Sequence, residues 1–204
     1  MATQADTNDE VQDGLQTVIC ATFDAHLKLL ETSSKELPAA IEAAARILIH
    51  AYLNGGKAIL FGNGGSMSDA QHIEGELVNR FSVDRPGVAA VALGSPASLT
   101  ATANDYSYED MFARMLVAHH RPGDVAVGFS TSGNSANVVR ALEKARSLGA
   151  PCIAFTGEGG GQCHGLADVL IAVPSRETPR IQEVHITVGH MLCDLVERAI
   201  VGRG

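Results

Sequence analysis

The chain has no tryptophan and only 4% aromatic residues, so its interior has to be filled mainly by aliphatic side chains. At 204 residues and 46% hydrophobic composition it can still do so. A chain of this length buries about 70% of its unfolded surface, and it needs neither disulfides nor a structural metal to stay folded. Basic charge is also scarce. Fifteen Lys and Arg stand against 23 Asp and Glu, for a net charge of −8, which leaves no basic stripe for a phosphate backbone. Nucleic acid is therefore not an expected partner. No apolar run approaches the ~18 residues of a membrane span, and the first thirteen residues are polar and acidic, unlike a secretory leader. A cytoplasmic protein without membrane contact is expected. The four cysteines, Cys20, Cys152, Cys163 and Cys193, form no CxxC pair and sit in mostly apolar sequence, so they read as reduced packing residues.

What the sequence does have is a recurrence of short Val-, Ile-, Ala- and Phe-rich runs at residues 57–61, 88–93, 124–129, 151–156 and 169–173. Near-continuous apolarity over such lengths means burial on both faces, as in a parallel sheet covered by helices. The segments 66–80, 108–119 and 135–148 fit crossover helices, the last ended by Gly149. The fold class is α/β, a doubly wound five-stranded parallel sheet. Two helices, 11–32 and 37–54, precede the first strand, and a long one, 178–201, follows the last. The chain thus divides into an N-terminal helical extension for oligomerisation, residues 1–54, and the α/β domain, residues 55–204. Leu15, Val18, Ile19, Thr22, Leu27 and Leu30 form a stripe that the sheet has no need to bury, so an oligomer is expected.

Ligands of open parallel sheets lie beyond the carboxyl ends of the strands. Two strands end there in small-residue turns that start helices. The first turn, Gly62-Asn63-Gly64-Gly65-Ser66, is not a dinucleotide fingerprint, because Met67 occupies the place of the third glycine, and no Walker A lysine follows any glycine run. The second, Ser130-Thr131-Ser132-Gly133-Asn134-Ser135, sets four hydroxyls at a helix N-terminus. Free N–H groups and the positive end of the helix dipole there suit a phosphate monoester. Gly157-Glu158-Gly159-Gly160-Gly161 reads as a further, mobile loop near the site.

The two turns together resemble the sugar isomerase domain that binds phosphosugars. The likeness runs from about residue 55 to 196. Within that superfamily Gly62-Asn63-Gly64-Gly65-Ser66, Asp69-Ala70-Gln71-His72, Asn104-Asp105-Tyr106 and Arg180-Ile181-Gln182-Glu183 are closely similar to the phosphoheptose isomerase family. The resemblance implies conversion of sedoheptulose 7-phosphate to D-glycero-D-manno-heptose 7-phosphate by acid/base proton transfer through an enediolate, assisted by zinc. His72 and Glu76, at i and i+4, share a helix face. Gln182 and His190, eight positions apart, lie about 80° apart around theirs. On spacing alone an HxxxE pair is an ordinary solvated face. The resemblance implies that His72, Glu76, Gln182 and His190 hold one zinc per subunit and that Glu76 and His190 transfer the proton. It also implies that Asn63, Gly64, Gly65 and Ser66 line the sugar, with Glu76 and Gln182 beside it, that Asn104 and Asp105 hold hydroxyls, that Ser130, Thr131, Ser132 and Ser135 hold the phosphate, and that Arg80 takes part. Asp69 orients the site or caps its helix. The resemblance also implies a homotetramer, and with the apolar stripe of residues 15–30 pockets completed across subunits are expected. Met67 and the pair Thr178-Pro179 depart from the family pattern, which bears on substrate preference. The alternative is a non-catalytic adaptor like the replication-initiator-associating proteins, which has no need of the four-residue set; pentose or hexose phosphate isomerases share only the phosphate loop.

Overall fold

The computed structural model describes the backbone of residues 4–202 and the side chains of residues 14–202; the leader reading and the ends of both expected domains fall partly outside these described residues. Two helices, α1 (Gln4–Glu36) and α2 (Pro38–Leu53), lead into β1 (Ala58–Gly62). There follow α3 (Gly65–Val78), β2 (Ala90–Ala92), α4 (Pro96–Asp105), α5 (Met111–His119), β3 (Val125–Ser130), α6 (Ala136–Ser147), β4 (Cys152–Thr156), a 3₁₀ turn (Gly161–Gly165), β5 (Val169–Ala172) and α7 (Thr178–Val201). The strands form one parallel sheet in the order β2-β1-β3-β4-β5. None of the described helices is long and apolar enough to cross a membrane.

Alternation within the strands sorts the core into two layers. Ala58, Leu60, Val125, Val127, Phe129, Ile153 and Phe155 face α2, α3 and α7. Their neighbours Ile59, Phe61, Ala126, Cys152 and Ala154 face α5 and α6. Every residue of β1, β3 and β4 is buried, while the edge strands β2 and β5 are only partly covered. Full burial of side chains such as Phe61, Phe129 and Phe155 stabilises the fold by roughly 1.5–3 kcal/mol each. Helix α2 adds Ala44, Ala45, Leu48 and Ala51 to the first layer. On α1, by contrast, Leu15, Val18, Ile19, Phe23 and Leu27 are 51–66% exposed. Cys152, Cys163 and Cys193 are buried, and burial pushes their thiols up to about 12, 11 and 12, which fits inert packing; Cys20 is exposed on α1.

Helix α4 is an addition to the sequence-based expectation. It has no buried residue, so its sequence carries no apolar stripe to announce it. The strand order reverses at β1: the chain steps outward to β2 and then returns to the other side as β3. This is a topological switch point, where the loops leaving two adjacent strands diverge. Gly62 pairs with Phe129, so the glycine turn and the serine loop leave the sheet side by side.

Candidate functional site

The glycine turn opens α3. Gly64 has φ +55°, a left-handed conformation that an L side chain rarely adopts. Gly65 keeps space for a neighbour on α7: a Cβ there would stand 2.5 Å from Nε2 of Gln182. The Gln182 amide therefore lies against the head of α3. Two turns further along the same helix pair, His72 Nε2 is 2.9 Å from His190 Nε2 and 3.4 Å from Glu76 Oε1. The ligand atoms of His72, Glu76 and His190 all lie within 4.8 Å of one another. Two imidazoles turning the same ring nitrogen toward one carboxylate is a donor set that suits a divalent cation such as zinc. His72 is exposed, and Glu76 and His190 are half-buried, so the cluster is reachable from solvent.

The wall behind His190 is the segment that follows α3, anchored on α7. Phe81, just beyond α3, packs its ring on His190 with centroids 5.7 Å apart. Glu197, two turns after His190 and 2% exposed, fixes that segment. Its Oε2 accepts from the backbone N–H of Phe81 at 2.9 Å and from Arg85 Nε at 2.9 Å. Its Oε1 accepts from the N–H groups of Ser82 at 2.8 Å and Val83 at 3.0 Å. Burial alone would raise the Glu197 carboxyl, but these four donors outweigh it and hold the group down to about 2. Asp69, one turn before His72, has a buried carboxylate oxygen with no protein partner. Burial raises it to about 6 against the opposing pull of His72.

In the serine loop, Ser130 Oγ donates to Ser135 Oγ at 3.0 Å, and Ser132 Oγ accepts from the Asn134 N–H at 3.1 Å. Thr131 is half-buried, and its carbonyl accepts from the Gly157 N–H at 2.9 Å. Ser135 is the N-cap residue of α6 but makes no side-chain cap bond, so this helix start remains suited to an anion. The segment 157–161 lies against the loop through Gly157, whose N–H meets the Thr131 carbonyl, and through Gly160. Gly133, at φ +66°, leaves so little room that a Cβ would stand 2.1 Å from the Gly160 carbonyl oxygen. Gly133, Gly157 and Gly161 serve close backbone approach.

Of the remaining expected residues, Asn63 and Ser66 belong to the glycine turn, whereas Asn104, Asp105 and Arg80 stand at the C-terminal ends of α4 and α3. Ser66 is buried in the first turn of α3, and Asn63 bonds with Asn137 and Tyr108. Asn104 and Asp105, at the exposed end of α4, bond to each other at 2.9 Å. Arg80 is exposed just past α3. A cavity of about 300 Å³ opens beside the glycine turn, lined by Asn63, Gly64, Met67, Leu99, Tyr108 and Phe112 among others. Sequence reasoning did not single out Phe81, Tyr108, Asn137 or Glu197. An available signal was Glu197, a carboxylate on the buried face of α7 that runs through Ile181, Val184, Val188, Leu192 and Val196.

Residues 23–157 match the SIS domain family. The chain is 47% identical over 194 residues to a phosphoheptose isomerase of Aneurinibacillus thermoaerophilus, covering 95% of each protein. A solved phosphoheptose isomerase from Neisseria gonorrhoeae superposes with a TM-score of 0.84 at 38% identity, over 90% of this chain and 98% of that one. Another, from Francisella tularensis, gives 0.87 at 34% identity over the same shares.

Proposed function

The chain belongs to the SIS domain family and, within it, to the phosphoheptose isomerases, and from that premise we propose that it interconverts sedoheptulose 7-phosphate and D-glycero-D-manno-heptose 7-phosphate. The observation that carries this reading is the convergence of His72, Glu76 and His190 from two helices flanking the glycine turn of a phosphosugar fold. The hydroxyls of Ser130, Thr131, Ser132 and Ser135 and the head of α6 bind the phosphate. Asn63, Gly64, Gly65 and Ser66 line the sugar, Asn104 and Asp105 hold its hydroxyls, Gln182 lies beside it, and Arg80 adds positive charge at the rim.

Moving the carbonyl between C1 and C2 needs a proton taken from one carbon and delivered to the other, with an enediolate between. Glu76 and His190 carry these transfers, one as base and one as acid. A carboxylate has two oxygens, so Glu76 can hold a cation with one and a proton with the other. His72, Glu76, Gln182 and His190 would hold one zinc per subunit. Bound zinc would supply Lewis-acid stabilisation of negative charge developing on the substrate oxygens. Phe81 shields one side of His190 from water.

We assign the working form as a homotetramer. The exposed stripe of α1 supports this, as does a groove of about 890 Å³ between α1, α2 and α7, lined by Leu30, Leu37, Ile41, Ile49, Met191 and Leu195 among others. The compartment is the cytoplasm, where the charge on a sugar phosphate retains the substrate. The test is NMR of sedoheptulose 7-phosphate incubated with the chelated and the zinc-reloaded protein. Anomeric signals of the aldose should grow with the reloaded protein only; no aldose under either condition would overturn the reading.

A further inference from the structure

Between the two substrate loops stands a clasp of three side chains. The amides of Asn63 and Asn137 pair reciprocally: Asn63 Nδ2 donates to Asn137 Oδ1 at 2.8 Å, and Asn137 Nδ2 donates to Asn63 Oδ1 at 2.9 Å. The residues are 74 positions apart, one in the glycine turn after β1 and one in the first turn of α6 after the serine loop. Asn137 is 1% exposed, and its Oδ1 also accepts from the Val138 N–H at 3.0 Å. From the α4–α5 connection, Tyr108 donates its hydroxyl to Asn63 Oδ1 at 2.9 Å.

An amide carries two N–H donors and one carbonyl oxygen. In Asn63 the oxygen and one N–H are committed to these bonds, which fixes which way the amide faces and leaves the second N–H for a ligand. Reversing the amide would set its NH₂ against the Asn137 NH₂ and its oxygen against Asn137 Oδ1, which the Val138 N–H holds in place, and so forfeit both bonds to Asn137. The half-buried pair also ties the turn that lines the sugar to the helix that receives the phosphate.

We propose that Asn137 and Tyr108 are positioning residues of the isomerase. They hold the Asn63 amide in one orientation and set the distance between the phosphate end and the reacting end of the substrate. Neither touches the reacting carbons in this role. Proton transfer is sensitive to sub-ångström placement, so loss of the clasp lowers turnover more than it lowers phosphate binding. The inference rests on the isomerase reading for its turnover readout only.

The test combines Asn137→Ala and Tyr108→Phe with Asn63→Ala in a double-mutant cycle. Steady-state kinetics on sedoheptulose 7-phosphate are read alongside calorimetric binding of inorganic phosphate. Asn137→Ala should lower kcat tenfold or more and Tyr108→Phe threefold or more, with phosphate affinity changed less than twofold. In the Asn63→Ala background both substitutions should change kcat less than twofold, because the amide they orient is gone. Tyr108 is exposed, so its variant keeps the test open should Asn137→Ala not fold. Undiminished kcat in both variants would overturn the proposal. So would losses that multiply fully in the Asn63→Ala background, or phosphate affinity that falls in step with kcat. If the parent protein does not turn the sugar over, the isomerase reading fails and the clasp is read from binding alone. The ratio of sedoheptulose 7-phosphate to inorganic phosphate affinity should then drop in both variants, and an unchanged ratio would refute it.

Discussion

Replacing Glu197 by Gln changes one oxygen into an NH₂ group at a position surrounded by donors. The carboxylate accepts two bonds on each oxygen, from three backbone N–H groups and Arg85 Nε. Whichever oxygen is replaced, two of those four bonds are lost and the new N–H groups point at other donors. Arg85, with a side chain 1% exposed, is also left without its counter-charge. Breaking a buried pair in this way costs roughly 3–5 kcal/mol. The same four donors hold the carboxyl down to about 2 in the folded chain, below its ordinary value, so their contribution to stability, and with it the cost, depends on pH. Because the folded value is the lower one, this contribution is complete above the unfolded pKa and is lost as pH falls from about 4.5 toward 2. Urea unfolding at fixed protomer concentration is the assay. Glu197→Gln should lower the midpoint at unchanged m-value near neutral pH, and the gap to the parent should close as the medium is acidified through that window. Turnover should fall as well, since the Phe81 segment that packs on His190 loses its anchor. A loss below about 1 kcal/mol, or a gap independent of pH, would refute the reasoning.

Glu76→Gln and His190→Gln should each cut turnover by at least ~10²-fold while circular dichroism and assembly stay as in the parent, because they remove proton transfer and not core volume. Ser132→Ala should weaken phosphosugar binding by roughly 1–3 kcal/mol by calorimetry, and dephosphorylated sedoheptulose should be a very poor substrate for the parent. Leu27→Glu places charge on the exposed α1 stripe and should dissociate the assembly and lower activity together; light scattering that showed a fully active monomer would contradict the shared pocket.

The sheet could be read in the sequence because each strand is a short apolar run closed by glycine, serine or polar residues. Helix α7 spans residues 178–201 as expected, started by Pro179 at its first turn and ended before Gly202. Helix α4 escaped because a surface helix with nothing buried leaves no period to detect. Within the site, the shared face of His72 and Glu76 follows from their spacing. The approach of His190 from 118 residues away does not; only the family resemblance pointed to it. The roles of Asn137 and Glu197 were hidden for a related reason. Each is a polar residue on a buried helix face, and its meaning depends on a partner segment brought near by the crossover topology. The close approach at Gly157 and Gly161 was not legible because glycine serves flexibility and tight backbone approach alike, and sequence does not separate the two.

The most direct measurement is turnover of sedoheptulose 7-phosphate in deuterium oxide, followed by NMR at C1 and C2. Two separate groups exchanging with solvent, Glu76 and His190, should deliver deuterium to C2 of the aldose product and to C1 of the ketose recovered at equilibrium. Product that forms at the normal rate with protium retained at C2 would mean direct hydrogen migration or return of the same proton by one shielded base, and would contradict transfer divided between this pair.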